Sequence, residues 1–547
     1  MTANDMTTIP AALASTVRQY PEVEAVVCGQ TRLTYAQLAE RVRVAARAFM
    51  ASGVAKGDRV ALWAPNSDRW IVTALAVVST GAVLVPVNTR LKGAEARHIL
   101  STSQASILVV EDGFLDLALV DMLREGGGTP TAGTPVPALP DLRELIVFGS
   151  SDLAEVTTFD AFLARASHVS DAEADAAAAS VSPEDPSDII FTSGTTGRPK
   201  GATLLHGQTI RLYTAWSDNA GLKAGDRFLG VNPFFHCFGY KAGLLACVIK
   251  GATMVPVAVF DAVATMELIE RDRINIAPGT PTLYITLLDH ARRREFDLSS
   301  LRVAVTGGSV VPTALVKRMR GDLGFETVLN AYGLTEACGF VTSCRPDDSD
   351  EIISKTSGRP VDGVEVAISG PRGERLGPGE HGEVLVRGYN LMAGYYQDPK
   401  STGVVIDDDG WLHTGDVGVQ DERGNLTITD RTKDMFVVGG YNAYPAEIEQ
   451  VIMHNDAVSE VAVIGVPDPR MGEVGRAYVV LRQRNGASEQ DLVDYCRSQL
   501  ANYKVPRTIE IVKSLPRNGS GKVDKLVLRQ AAAEAAQSRE PADGPGR

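Results

Sequence analysis

Between Thr192 and Gly201 the chain reads Thr-Ser-Gly-Thr-Thr-Gly-Arg-Pro-Lys-Gly, a run well equipped to hold an anion. Gly194, Gly197 and Gly201 open backbone conformations closed to other residues, so successive N–H groups can converge on one point. The hydroxyls of Thr192, Ser193, Thr195 and Thr196 and the ammonium of Lys200 add donors around it. A polyphosphate is the ligand that such a loop suits. The spacing is not that of the Walker loop, whose lysine is followed by serine or threonine, because Gly201 follows Lys200. A flexible surface loop is the alternative for a generic Gly/Ser/Thr cluster.

Further polar motifs follow in order. They are Tyr332-Gly333-Leu334-Thr335-Glu336, Tyr395 to Asp398, Trp411-Leu412-His413-Thr414-Gly415-Asp416 and the charged segment Asp430 to Asp434. Gly439-Gly440-Tyr441-Asn442-Ala443-Tyr444-Pro445-Ala446-Glu447 and Pro516-Arg517-Asn518-Gly519-Ser520-Gly521-Lys522 come last. With the Thr192 loop, this series resembles the adenylate-forming superfamily of acyl-CoA synthetases, peptide-synthetase adenylation domains and luciferases. The likeness runs in order over nearly the whole chain.

The resemblance implies ATP, Mg²⁺ and coenzyme A as cofactors and a carboxylic acid as substrate. A carboxylate is a poor acylating agent. Attack on the α-phosphorus of ATP makes a mixed anhydride whose departing group is AMP, and charge builds around phosphorus in the transition state. On the family pattern Lys522 supplies a positive donor there, while Thr335 gives a hydroxyl to the phosphates. Thr196 and Glu336 serve the magnesium ion, a hard cation that prefers oxygen ligands. Asp416 matches the carboxylate on the ribose hydroxyls, with Arg431 as its neighbour; a buried ion pair between these two is the structural alternative. Gly307, Gly308, Ser309, Asn330, Ala331, Tyr332 and Gly333 match the adenine wall, where a core tyrosine is the ordinary alternative. Lys433 matches a hinge, and Gly439, Gly440 and Tyr441 a loop on the thiol side.

Asn232-Pro233-Phe234-Phe235-His236-Cys237-Phe238-Gly239 resembles the segment beside the acyl carbonyl. It implies that His236 is a gate or carboxylate contact, against a core histidine, and that Cys237 is a neutral wall residue. The stretch through Tyr240-Lys241-Ala242-Gly243, with Tyr284 to His290 and Phe296 to Gly308, is most similar to actinobacterial ligases for a steroid-derived indanedione propanoate. Tyr240 and Lys241 are then candidates for hydrogen bonds to ring oxygens, with a solvated Lys241 the alternative. A medium- or long-chain fatty acid, transfer to a carrier protein, luciferase-like oxidation and a non-catalytic nucleotide-binding regulator are the competing readings.

These residues need strands that end in glycine-rich turns. Arg59 to Trp63, Ser106 to Val110, Ser187 to Phe191 and Leu301 to Val305 read as such strands, the signature of an α/β fold with ligands at strand ends. The nearly continuous apolar stretch Trp70 to Val87 reads as a helix, a turn at Ser79-Thr80-Gly81 and a strand, rather than a membrane span. Past the charged segment, a helix from Pro445, strands near Val461 and Ala477, a helix from Ser488 and a strand near Ile509 make a small α+β domain. The expected domains are thus a large multi-subdomain N-terminal α/β domain over 1–432, a mobile C-terminal α+β domain over 433–530 and a disordered tail over 531–547. Stretches 125–141 and 167–188 read as irregular connections.

At 547 residues the chain exceeds one ordinary core. A formal net charge of −13 argues against nucleic acid as a partner. The six cysteines form no C-x-x-C pair, the N-terminus lacks a signal-like apolar core, and a cytoplasmic, soluble enzyme without integral membrane segments follows, with a homodimer left open.

Overall fold

The computed structural model describes residues 6–537 apart from 126–130, 132–133, 154, 193–198, 308–310, 432–433, 435, 439–440, 444, 469, 483–485, 501 and 518–521. The chain forms two compact units. One comprises Met1–Ile353, Ser357–Glu365 and Val386–Leu412; the other comprises Ser354–Thr356, Val366–Leu385 and His413–Arg547.

The apolar stretch after Trp70 resolves as the sequence suggests. Ser67 accepts the N–H of Trp70 and caps the helix Asp68–Ser79, Gly81 turns the chain at φ +78°, and the strand Val83–Pro86 follows. Among the described residues no helix is long and apolar enough to cross a membrane. The strand enters an eight-stranded sheet ordered Gly394–Tyr395, Lys200–Leu205, Pro186–Thr192, Val83–Pro86, Arg59–Trp63, Ile107–Val110, Glu144–Val147, Thr157–Thr158. Its central strands are parallel and covered on both faces, which is why they read as unbroken Val/Leu/Ile runs. Pro186–Thr192 and Lys200–Leu205 break that rule as an antiparallel pair.

A second sheet in this unit places Val303–Gly307 parallel to Thr327–Tyr332, followed by Thr342–Ser343 and Arg359–Pro360. Ile276 bridges Val303 to Phe228 of the neighbouring strand Arg227–Gly230. Large side chains including Tyr284, Phe325 and Met319 fill the core beside it.

The second unit contains a five-stranded sheet in which Val458–Asp468 and Gly472–Leu481 form a long antiparallel ladder, with Thr508–Ile511 parallel to the latter. Helices Pro445–Met453, Glu489–Gln499 and Lys525–Gln537 accompany it, the second capped by Ser488. The fold is thus α/β, with a large N-terminal part and a small C-terminal one.

Two expectations are corrected. The acidic, alanine-rich run read as irregular over 167–188 contains the helix Asp171–Ala179. Ser170 and Glu173 close a reciprocal capping box at its start, and alanine's high helix propensity carries the rest. The tail expected to be disordered from 531 is helical to Gln537, because Leu528 and Ala532 bury themselves beside Ala462, Ile464 and Tyr478. Residues 538–547 lie outside the described residues.

Candidate functional site

The antiparallel register pairs Thr192 with Lys200, so both ends of the glycine-threonine run are held in one ladder. Ser193, Gly194, Thr195, Thr196 and Gly197 lie between them, outside the described residues. Gly201 is required by packing: a Cβ there would stand 2.5 Å from Ile189 Cγ2 and 3.1 Å from the Phe191 ring.

Glu336 meets this ladder. It sits on the short 3₁₀ turn Thr335–Ala337, and its Oε1 accepts the Thr192 hydroxyl at 3.3 Å and the Tyr395 hydroxyl at 2.9 Å. Its backbone oxygen accepts the Met392 N–H at 2.8 Å, so the turn is tied to the segment that carries Tyr395. Burial pushes the Tyr395 hydroxyl well above its ordinary range, and the Glu336 charge adds to the effect, so it remains a neutral donor. Lys200 Nζ lies 5.3 Å from the centre of the Tyr395 ring. Lys200, Gly201 and Tyr395 with His98, Tyr396 and Asp398 border a cavity of about 290 Å³. The sequence shows Tyr395 within a motif but gives it no role; a tyrosine's partner across the fold leaves no local signal.

Thr335 is buried, which excludes an exposed helix-cap pair. Glu336 offers one carboxylate, and among the described residues no group of three or more His, Cys, Asp or Glu side chains is arranged to hold a metal. Mg²⁺ keeps most of its coordination from phosphates and water, so a single carboxylate beside a phosphate loop fits an ion arriving on a triphosphate.

Gly307 ends its strand directly beside Ala331, and a Cβ on it would approach Ala331 O to 2.3 Å. Asn330 is buried and its Nδ2 donates to Ile353 O at 3.1 Å. Tyr332 is half-buried at the strand end, and Gly333 is exposed. Gly308 and Ser309 lie outside the described residues.

His236 is exposed, which excludes a core histidine. Its Nδ1 accepts the Phe238 N–H at 3.3 Å, and Asn66 pins the preceding loop by donating to Gly230 O and Asn232 O while accepting from Phe234 N–H. Burial pushes the Cys237 thiol far up, which keeps it neutral.

Lys241 departs from both expectations. It is neither solvated nor open to a ligand oxygen: it is fully buried, and Nζ donates to Asp188 Oδ1 and Thr209 Oγ1, each at 2.8 Å. Burial works against its charge most strongly, but Asp188 together with Cys338 and Cys237 holds the ammonium above its ordinary value. Tyr240 is likewise buried, its ring edge-on to Trp70 at 5.4 Å.

In the second unit, Asp416 is 6% exposed and pairs in register with Arg431, whose side chain is outside the described set. The turn before it is locked by Glu383, which meets His413 Nδ1 at 2.9 Å and accepts Gly415 N–H at 3.2 Å. Gly415 takes φ +69°, a value that suits glycine. Lys522 is exposed and precedes Val523, which bridges Arg517; residues 518–521 lie outside the described residues. Tyr441 pairs with Val438 through its backbone; Lys433, Gly439 and Gly440 are outside the described residues.

Comparison with known proteins places this geometry in context. The AMP-binding enzyme family matches residues 13–396, and the AMP-binding enzyme C-terminal domain matches residues 447–522. A propanoyl:CoA ligase for a 7a-methyl-1,5-dioxo-octahydroindene from Rhodococcus jostii is 49% identical over 524 residues, covering 96% of this chain and 98% of that protein. Its Mycobacterium tuberculosis counterpart is 47% identical, covering 96% and 99%. Among solved structures, an anthranilate CoA ligase in complex with anthranoyl-AMP superposes with a TM-score of 0.87 at 28% identity, covering 98% of this chain and 100% of that one.

Proposed function

The chain belongs to the AMP-binding enzyme family, and from that premise we propose that it is an ATP-dependent acyl-CoA synthetase acting on a propanoate side chain of a fused bicyclic diketone. A carboxylate oxygen of the acid attacks the α-phosphorus of MgATP, and pyrophosphate leaves with the bonding pair. The thiolate of CoA then attacks the carbonyl carbon of the acyl-adenylate, and AMP leaves.

The observation that carries the adenylation step is the Thr192–Glu336–Tyr395 cluster at the mouth of the phosphate loop. Both neutral donors converge on Oε1, and the Glu336 carboxylate would hold an Mg²⁺ carried on the phosphates, which would supply charge dispersal there. Lys200 adds a cation on the same side, and Lys522 supplies the ammonium for charge developing at phosphorus. Asp416 and Arg431 hold the ribose, Gly307 and Tyr332 the adenine, and His236 the acyl carboxylate. The segment around Lys433 is the hinge between half-reactions, so Lys433→Pro is expected to change their rates unequally.

The near-full-length match to two ligases of this kind supports the choice of acid. The test is product analysis across indanedione propanoates, aromatic acids and fatty acids with ATP and CoA. The expected result is an acyl-CoA, with kcat/KM for the bicyclic acid at least about tenfold above octanoate, a discrimination within reach of one shaped pocket. Preference for octanoate would make this a fatty-acid ligase, and product found only on a carrier protein would replace CoA as acceptor. A cytoplasmic enzyme suits six free cysteines, five of them buried. Sedimentation would separate a monomer from the homodimer.

A further inference from the structure

Three segments of the first unit, one of which ends at Thr192, meet beneath the surface at one ammonium. Lys241 lies in the π-helical turn Tyr240–Leu245, a rare geometry that in proteins recurs at functional positions. Its Nζ holds Asp188 on the strand that ends at Thr192, and Thr209 on the helix His206–Asn219. Ser187 Oγ adds a hydrogen bond to the same Asp188 oxygen at 2.7 Å. Asp188 and Thr192 are four residues apart on one strand, so they share a face.

The network continues to the turn after Glu336. Thr209 Oγ1 lies 3.5 Å from Cys338 Sγ, and the Tyr213 hydroxyl donates to Cys338 O at 2.8 Å. Cys338 sits at φ +55°, a left-handed conformation that a cysteine adopts only when its surroundings impose it. Next to it, a Cβ on Gly339 would stand 2.4 Å from Cys237 Cβ, so the residue following His236 is wedged against the turn following Glu336.

We propose that Lys241 is a positioning residue for adenylation: through Asp188, Thr209 and Cys338 it sets the placement of Thr192, Glu336 and His236 relative to one another. This rests on the reading of Glu336 as the carboxylate beside the triphosphate. Lys241 touches none of the reacting groups. A buried ion pair is often matched in stability by apolar residues of similar volume, so stability alone gives no reason for a charge here. An ammonium held by fixed oxygens gives instead a directional joint. Displacement of a positioned group by about 1 Å is enough to cost roughly 10²-fold in rate.

The decisive variant is Lys241→Met/Asp188→Asn in the full-length chain, which removes both charges together. Pyrophosphate release is measured with ATP and the bicyclic acid, alongside thermal melting. The expected result is melting within about 3 °C of the parent, KM for ATP within about threefold, and kcat lower by about tenfold or more. A folded double variant with parental kcat would overturn the proposal. Should that variant not fold, Thr209→Val keeps the ion pair and removes the hydroxyl that both accepts from Lys241 and meets Cys338. It is expected to fold and to lower kcat about threefold or more, with Thr209→Ser restoring the rate; parental kcat in Thr209→Val overturns the proposal equally. Glu336→Gln, assayed alongside, keeps the two readings apart. Full activity of that variant removes the site assignment itself, whereas an inactive Glu336→Gln beside a fully active double variant removes only Lys241.

Discussion

The first unit treats two of its carboxylates in opposite ways. Asp188 is completely buried and is neutralised inside the protein by Lys241 at 2.8 Å. Glu336 is half-buried, and among the described residues it receives only the hydroxyls of Thr192 and Tyr395. Neutral donors orient a carboxylate without cancelling its charge, so Glu336 remains available to a cation from outside, whereas Asp188 is spent on holding the fold in register. The same side-chain chemistry therefore serves binding in one place and alignment in the other, and the partner decides which.

That contrast can be broken most forcefully at Asp188. Asp188→Ala strands a buried ammonium and is expected to cost about 3–5 kcal/mol, read as early unfolding of the first unit in urea. A loss below about 1 kcal/mol would mean that the pair is not the closed system described. Glu336→Gln should do the reverse, with stability nearly unchanged and pyrophosphate release down by roughly 10²–10³. Lys522→Ala is expected to show a loss of the same order in adenylation with the fold kept; near-normal release would remove it from the mechanism.

A buried histidine sharpens the comparison through pH. His206 is held down to about 3, by burial first and then by the positive field of Lys241, with Asp185 opposing and Lys56 assisting. Its folded value lies below the unfolded one, so its neutral form is favoured by folding and stability is lost as pH falls from about 6.5 toward about 3. At pH 5 the loss is about 2 kcal/mol, and denaturation of His206→Gln between pH 7 and 5 should lack most of it. The smallest effect is expected for Tyr395→Phe, which removes one neutral donor from Glu336 and should cost about 1 kcal/mol of stability with a modest fall in adenylation rate.

Much of the candidate site could be read from residue order, because glycine turns, hydroxyl runs and lone carboxylates are local patterns. The helix from Pro445 and the strands near Val461, Ala477 and Ile509 follow equally from patterns a few residues long. The fate of Lys241 does not, because its partner Asp188 is 53 residues away and nothing in Tyr240-Lys241-Ala242 announces burial. Tyr395 is hidden for the same reason, 59 residues from Glu336. The helix Asp171–Ala179 was obscured by acidic composition and the prolines that follow it, although Ser170 and Glu173 carry the capping signal. At the C-terminus, polar composition outweighed two apolar positions, Leu528 and Ala532, that are enough to dock a helix.

The strand Pro186–Thr192 has a consequence for how errors in folding are handled. A slip of one residue against Lys200–Leu205 would turn Asp188 to the opposite face and carry Thr192 with it. The resulting molecule would hold an ammonium without a counter-charge in its interior, and would be too unstable to persist. The Lys241–Asp188 pair thus penalises a wrong frame in the same strand that delivers Thr192.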